Sequence, residues 1–202
     1  MRNLFVCLFV LASGLASAEP ADAPSVEVSL KAGAHFPQLM NKLGTSFDGI
    51  LKLGYAPFEG RRIQLFLDLG YSRPSQTLTG SDPRLAEGSY QSTLVMQDLA
   101  TTLGAVYFIL PPASTLVPYA GAGLRLHFLK AEVTGASGSA FGVSTETDTR
   151  FGGVIFGGAG FHLGPGLLLG EVAVGYAPVG QKVTGVSNIG ALSLLLGYGV
   201  LL

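Results

Sequence analysis

Alternation with period two recurs along this chain in eight segments of roughly ten residues, a length that crosses a bilayer when the strand is tilted. In the first, 26–35, one face carries Val26, Val28, Leu30, Ala32 and Ala34. The other carries Glu27, Ser29, Lys31, Gly33 and His35. Successive side chains of an extended strand point to opposite faces, so this spacing separates an apolar from a polar surface. In 63–72, Ile63, Leu65, Leu67, Leu69 and Tyr71 oppose Gln64, Phe66, Asp68, Gly70 and Ser72. The last segment, 191–202, sets Leu192, Leu194, Leu196, Tyr198, Val200 and Leu202 against a smaller face. Less regular segments fall at 47–56, 97–109, 117–128, 151–161 and 167–177, two of them blurred by glycine.

Composition decides which face points inward. Charged residues make up 12% of the chain while 48% is hydrophobic, against about 25% charged in ordinary soluble domains. A water-facing surface would carry far more Lys and Glu than the Gly, Ala, Ser and Thr found opposite the apolar faces. The apolar faces therefore meet lipid and the small, sparsely charged faces line a narrow interior. Connections at 57–61, 110–116 and 162–166 are short and hold Glu59-Gly60 and Gly164-Pro165-Gly166 at turn positions. Those at 36–46, 72–96, 129–150 and 178–188 are longer. Short turns on one side and long loops on the other belong to an all-β, eight-stranded, antiparallel up-and-down transmembrane β-barrel.

The chain opens Met1-Arg2-Asn3, runs apolar from 4 to 10 and reaches Ala16-Ser17-Ala18. This reads as a secretory signal peptide over 1–18, cleaved after Ala18. A short periplasmic segment, 19–24, and the barrel domain, 25–202, follow, which places the expected location in the bacterial outer membrane. Cys7, the only cysteine, leaves with the leader, so no internal disulfide is expected. Twelve basic residues against thirteen acidic ones give no basic patch for nucleic acid.

Aromatic residues gather at segment ends. Phe36, Phe47, Tyr71 and Tyr176, with Phe128 and Phe151, are expected near the outer rim; Tyr55, Tyr107 and Tyr198, with Phe58, Tyr119 and Phe161, near the inner one. Amphipathic rings favour the lipid–water interface, so two girdles are expected. Glu27, Lys31, Asp48, Lys52, Asp68, Asp98, Arg125 and Glu171 fall on inward positions. Charges withdrawn from water must pair, and eight strands leave an interior just wide enough for side chains. The expectation is a salt-bridged plug in which Arg125 binds several carboxylates; a narrow channel lined by the same charges is the alternative.

These residues resemble the small outer-membrane barrels of the OmpA transmembrane-domain, OmpX and OmpW type. Pro118-Tyr119-Ala120-Gly121-Ala122-Gly123-Leu124 is similar to a PYxGxGxG run of such barrels, with Leu124-Arg125 in place of the last glycine. Residues 194–202 resemble their C-terminal assembly signal, with Leu202 where Phe is usual. The resemblance implies contact with outer-membrane lipid and lipopolysaccharide, and with the barrel-assembly machinery through the last strand. It implies a structural or surface-interaction role, or a small pore of the OmpW kind. Some barrels of this size modify lipid A through a His with Ser or Asp near the outer rim. His35 and His127 point inward there and His162 lies by a turn, but none sits in a catalytic motif or a set of metal ligands. No catalytic residue, metal or cofactor is expected.

Overall fold

The computed structural model describes residues 25–37, 43–57, 60–84, 88–137, 139–179 and 188–202. The leader, its cleavage point and the segment 19–24 lie outside the described residues, as do Phe58 and Glu59. Nine strands follow in chain order: β1 (Ser25–Pro37), β2 (Ser46–Ala56), β3 (Ile63–Ser72), β4 (Ser75–Ser81), β5 (Ser89–Phe108), β6 (Leu116–Ser137), β7 (Ser139–Leu163), β8 (Gly166–Tyr176) and β9 (Ala191–Leu201). All pairings are antiparallel. β3 pairs with β5 and β1 with β9, so eight strands close into a ring that leaves out only β4. Reciprocal backbone bonds between Val26 and Leu202 extend the seam between first and last strands. Closure satisfies neighbouring backbone groups within the sheet, the condition for a strand structure in lipid.

The alternation of the sequence becomes the inside and outside of the ring. Along β3, Leu65, Leu67 and Leu69 are exposed while Gln64, Phe66 and Asp68 are buried. The short connections all lie at the end that holds residues 25 and 202. Between β2 and β3, Gly60 and Arg61 both take positive φ; Gly164 does so between β7 and β8. Left-handed backbone at these places gives the tight reversals that hairpins require.

At the opposite end the structure departs from the sequence reading. Residues 89–96 and 129–150, expected to be loop, continue β5, β6 and β7 beyond the ring. β4, within the expected long loop 72–96, pairs only with β5. Together they form a four-stranded blade standing on the outer rim. Its rows read Thr77–Thr93–Thr134–Val143 and Ser75–Val95–Glu132–Thr145.

Candidate functional site in the barrel lumen

The inner half of the lumen is a packed set of opposite charges. Lys31 Nζ on β1 donates to both carboxylate oxygens of Glu171 on β8, at 2.9 and 3.0 Å. The Tyr119 hydroxyl donates to Glu171 Oε2 at 3.1 Å. Glu27 accepts from Gln64 Nε2 at 2.8 Å and has Lys52 Nζ 3.7 Å away. Each ammonium also lies over an aromatic face, Lys31 at 5.6 Å from Phe156 and Lys52 at 5.5 Å from Phe66. Phe66 and Phe156 meet edge-to-face at 5.5 Å, and Tyr119 meets Phe156 and Phe108 in the same way. Such contacts hold a cation by the ring quadrupole where water is excluded.

Glycines make room for these side chains. A Cβ at Gly197 would come within 2.6 Å of Lys31 Cγ, and one at Gly104 within 2.7 Å of Phe66 Cζ. In the segments whose alternation glycine blurs, a Cβ at Gly121 would run into the Phe156 ring and one at Gly158 into the Tyr119 hydroxyl, so these glycines too are the packing complement of the plug.

The outer half of the lumen is arranged differently. His127 Nδ1 donates to Asp98 Oδ2 at 2.8 Å. The Ser193 hydroxyl donates to Asp48 Oδ2 at 3.1 Å. A hydroxyl has one hydrogen, so the 3.1 Å contact from His35 Nδ1 to Ser193 Oγ is accepted by the serine. The order is therefore His35 to Ser193 to Asp48. In nucleophilic activation the serine instead gives its proton to the histidine. Arg125, expected to clasp several carboxylates, is only part-buried and donates from Nε to Thr102 Oγ1 at 2.9 Å. Asp68 faces Lys52 across β2 and β3. Asp68 Oδ1 and Asp98 Oδ1 are buried without a hydrogen-bond partner among the described residues.

Above this layer Leu43, Met96, Leu129, Ala177, Val179 and Ile189 form a separate apolar cluster across the outer mouth. Asn188 pins it, its side-chain oxygen accepting from the backbone N–H groups of Ala177 at 3.0 Å and Gly190 at 2.8 Å. Three lumen cavities measure about 10, 10 and 20 Å³, the first bounded by His35, Asp48, Asp98 and Arg125, the second by Lys31, Tyr119 and Glu171 and the third by Glu27, Arg61 and Gln64. Each has room for about one water molecule.

All eight charges named from the sequence face the lumen; Arg125 is part-buried and the other seven are buried. Of the aromatics, Phe47, Tyr55, Tyr71, Tyr107 and Tyr176 are exposed on the outer wall, while Phe36 and Tyr198 are half-buried. Tyr119 is the exception: expected at the inner rim, it is buried in the lumen. Its parity supplied the signal, because it lies an even number of residues from Arg125 and His127 on the same strand. His162 lies outside the lumen cluster and contacts the carbonyl of Pro112 at 2.7 Å.

A closed antiparallel ring with an apolar exterior and a polar, filled interior defines a transmembrane β-barrel of the outer-membrane kind. Its structural neighbours are small outer-membrane β-barrels. The major outer membrane protein of Thermus thermophilus is similar with a TM-score of 0.52 at 16% identity, over 89% of this chain and 100% of that one. The N-terminal β-barrel domain of Pseudomonas aeruginosa OprF gives 0.47 at 18% identity, over 88% and 97%. Neisserial surface protein A gives 0.45 at 19%, over 90% and 99%. The first of these carries the fold comparison. No family model and no curated protein matches the sequence.

Proposed function

We propose that this protein is a non-enzymatic barrel of the bacterial outer membrane, exported by its leader, with a structural or surface-interaction role and a lumen closed by paired charges. The observation that carries the reading is the buried bidentate contact of Lys31 with Glu171, joined by Tyr119 and sealed by Phe66 and Phe156. A bridge held between aromatic rings blocks the axis of a barrel that has little width to spare. Water-sized cavities and the apolar cluster at the mouth support the same conclusion. The blade of β4 to β7 supplies a broad surface of Ser and Thr with exposed Leu78, Tyr90 and Val143 on the side away from the short turns. Exposed Phe47, Tyr71 and Tyr176 at one rim and Tyr55 and Tyr107 at the other suit the two interfaces of a bilayer. Insertion would use the last strand as the substrate of the barrel-assembly machinery.

The serine and histidines of the outer lumen do not favour hydrolysis. Ser193 donates to a carboxylate, and the adjoining cavity holds about one water, far below the size of an acyl substrate. A small pore is the second reading, favoured by the acid excess of the outer half, which would select cations if the mouth opened. Planar-bilayer recording of the refolded protein separates the two. The plug predicts no steady conductance, and a sustained cation-selective current would replace it with the pore.

A further inference from the structure

We propose that Arg73 and Lys130, with Gln97 between them, form a phosphate clamp on the outer wall of the barrel for an acylated lipid of the outer leaflet. The proposal rests on the reading that the barrel spans a membrane, and it names a lipid partner by its chemistry.

The register places the three residues in one row. Ser72 pairs with Asp98, and the Met96 amide donates to the Pro74 carbonyl at 2.9 Å, so Arg73 lies opposite Gln97. Gln97 in turn pairs with Lys130. Arg73 and Lys130 are two strands apart, about 10 Å between backbones. Both side chains are long enough to converge above the glutamine. Their parity is that of Tyr71 and Phe128, which are exposed on the outer wall, and both cations are themselves exposed.

Neither cation has a hydrogen bond or ion pair with a described residue. Other cations do: Lys31 with Glu171, Arg84 with Asp82 and Arg150 with Asp148. Arginine offers a planar fork and lysine a point charge, both suited to phosphate oxygens. The row directly below is Tyr71–Leu99–Phe128, and below that the wall is apolar through Leu67, Leu103 and Leu124. An anion held in the row therefore has a greasy surface beneath it that acyl chains can follow, which a free phosphate could not use. Glu132, one row higher on the same face, repels an anion and sets the upper limit of the site.

The test uses the folded barrel in neutral detergent with lipid A and its dephosphorylated form as probes, bound lipid being counted by native mass spectrometry. Two surface cations are expected to favour the phosphorylated lipid by roughly thirtyfold. Arg73→Ala with Lys130→Ala should abolish that preference, Arg73→Lys should keep part of it, and Arg84→Ala should change nothing. Millimolar inorganic phosphate should fail to displace the lipid. Equal retention of both lipid forms by the wild type, an undiminished preference in the double variant, or full displacement by inorganic phosphate would each overturn the clamp. A folded barrel that retained neither lipid form would likewise overturn the clamp, whereas failure of the refolded protein to float with lipid vesicles would overturn the membrane-spanning reading instead.

Discussion

In the inner half of the lumen each charge has an opposite charge and, for the lysines, an aromatic face. In the outer half, Asp48, Asp68 and Asp98 outnumber the permanent cations near them: Lys52 faces Asp68 across β2 and β3 but lies 3.7 Å from Glu27, and Arg125 bonds to Thr102. The two halves use the same strands and the same alternation, yet the inner one is over-determined and the outer one is adjustable. Large side chains account for the difference. Phe66, Phe108, Tyr119 and Phe156 fill the inner half and expel water, so charges there must pair. Ser72, Ala100, Thr102 and Ser193 fill the outer half and leave carboxylate oxygens without donors among the described residues.

The largest expected effect lies in the inner half. Lys31→Ala leaves Glu171 buried and uncompensated, which costs about 3–5 kcal/mol. Converting both partners to apolar residues of similar size, Lys31→Met with Glu171→Leu, should return most of that loss. Urea midpoints of refolded protein check both values. A small loss for Lys31→Ala would show that water reaches the inner half and would erase the contrast.

Next comes the wall that makes both halves interior. Leu67 is exposed and Asp68, its neighbour, is buried. Near the bilayer midplane, Leu67→Arg should cost roughly 2–4 kcal/mol in lipid vesicles, while Leu67→Phe should be tolerated. An unchanged midpoint for the arginine variant would mean that the faces are inverted.

A smaller effect is expected in the outer half. Asp98→Asn keeps an acceptor for His127 and removes one of the excess acids. Losing the charged character of one hydrogen bond while relieving repulsion should leave stability within about 1 kcal/mol. A loss as large as that of Lys31→Ala, measured in the same urea series, would make the two halves equivalent.

The smallest effect belongs to the exposed pair beyond both halves. Arg84 donates to Asp82 at 2.6 and 2.9 Å, and these bonds hold the Asp82 carboxyl below its ordinary pKa. A carboxyl lowered in this way adds stability above its unfolded value and loses it as pH falls through the folded one. Solvent screens a pair so exposed. Arg84→Ala should therefore raise the Asp82 titration, followed by NMR, without moving the unfolding midpoint.

Legibility in the sequence followed the contrast between lipid and water. β1, β3 and β9 alternate Leu or Val with polar residues because one face meets hydrocarbon, and their bounds were readable within a residue or two. The blade is hidden because, beyond its base where Met96, Leu129 and Ala131 are buried, both of its faces meet water. Residues 129–134 still alternate, but the Ser, Thr and Gly residues farther out show little change of polarity from one position to the next, so strand and loop look alike there. All eight lumen charges were legible from parity, but their partners were not. Residues 31 and 171 are brought together by closure of the ring, and no local pattern encodes that contact. Tyr119 was misplaced by residue type: an amphipathic ring suits the rim, yet its parity with Arg125 directs it inward.

The apolar cluster over the mouth has a consequence for the order of events in folding. Leu43, Met96, Leu129, Val179 and Ile189 come from connections and strand ends spread over most of the chain, and they become neighbours only after β1 has met β9. The cluster should form last and open first, as a cooperative unit of its own with a lower opening free energy than the ring beneath it. Amide exchange at Ile189 and Gly190 should then outpace exchange at Lys31 or Leu195, and the external end would breathe while the bilayer-embedded hydrogen-bond ladder stays shut.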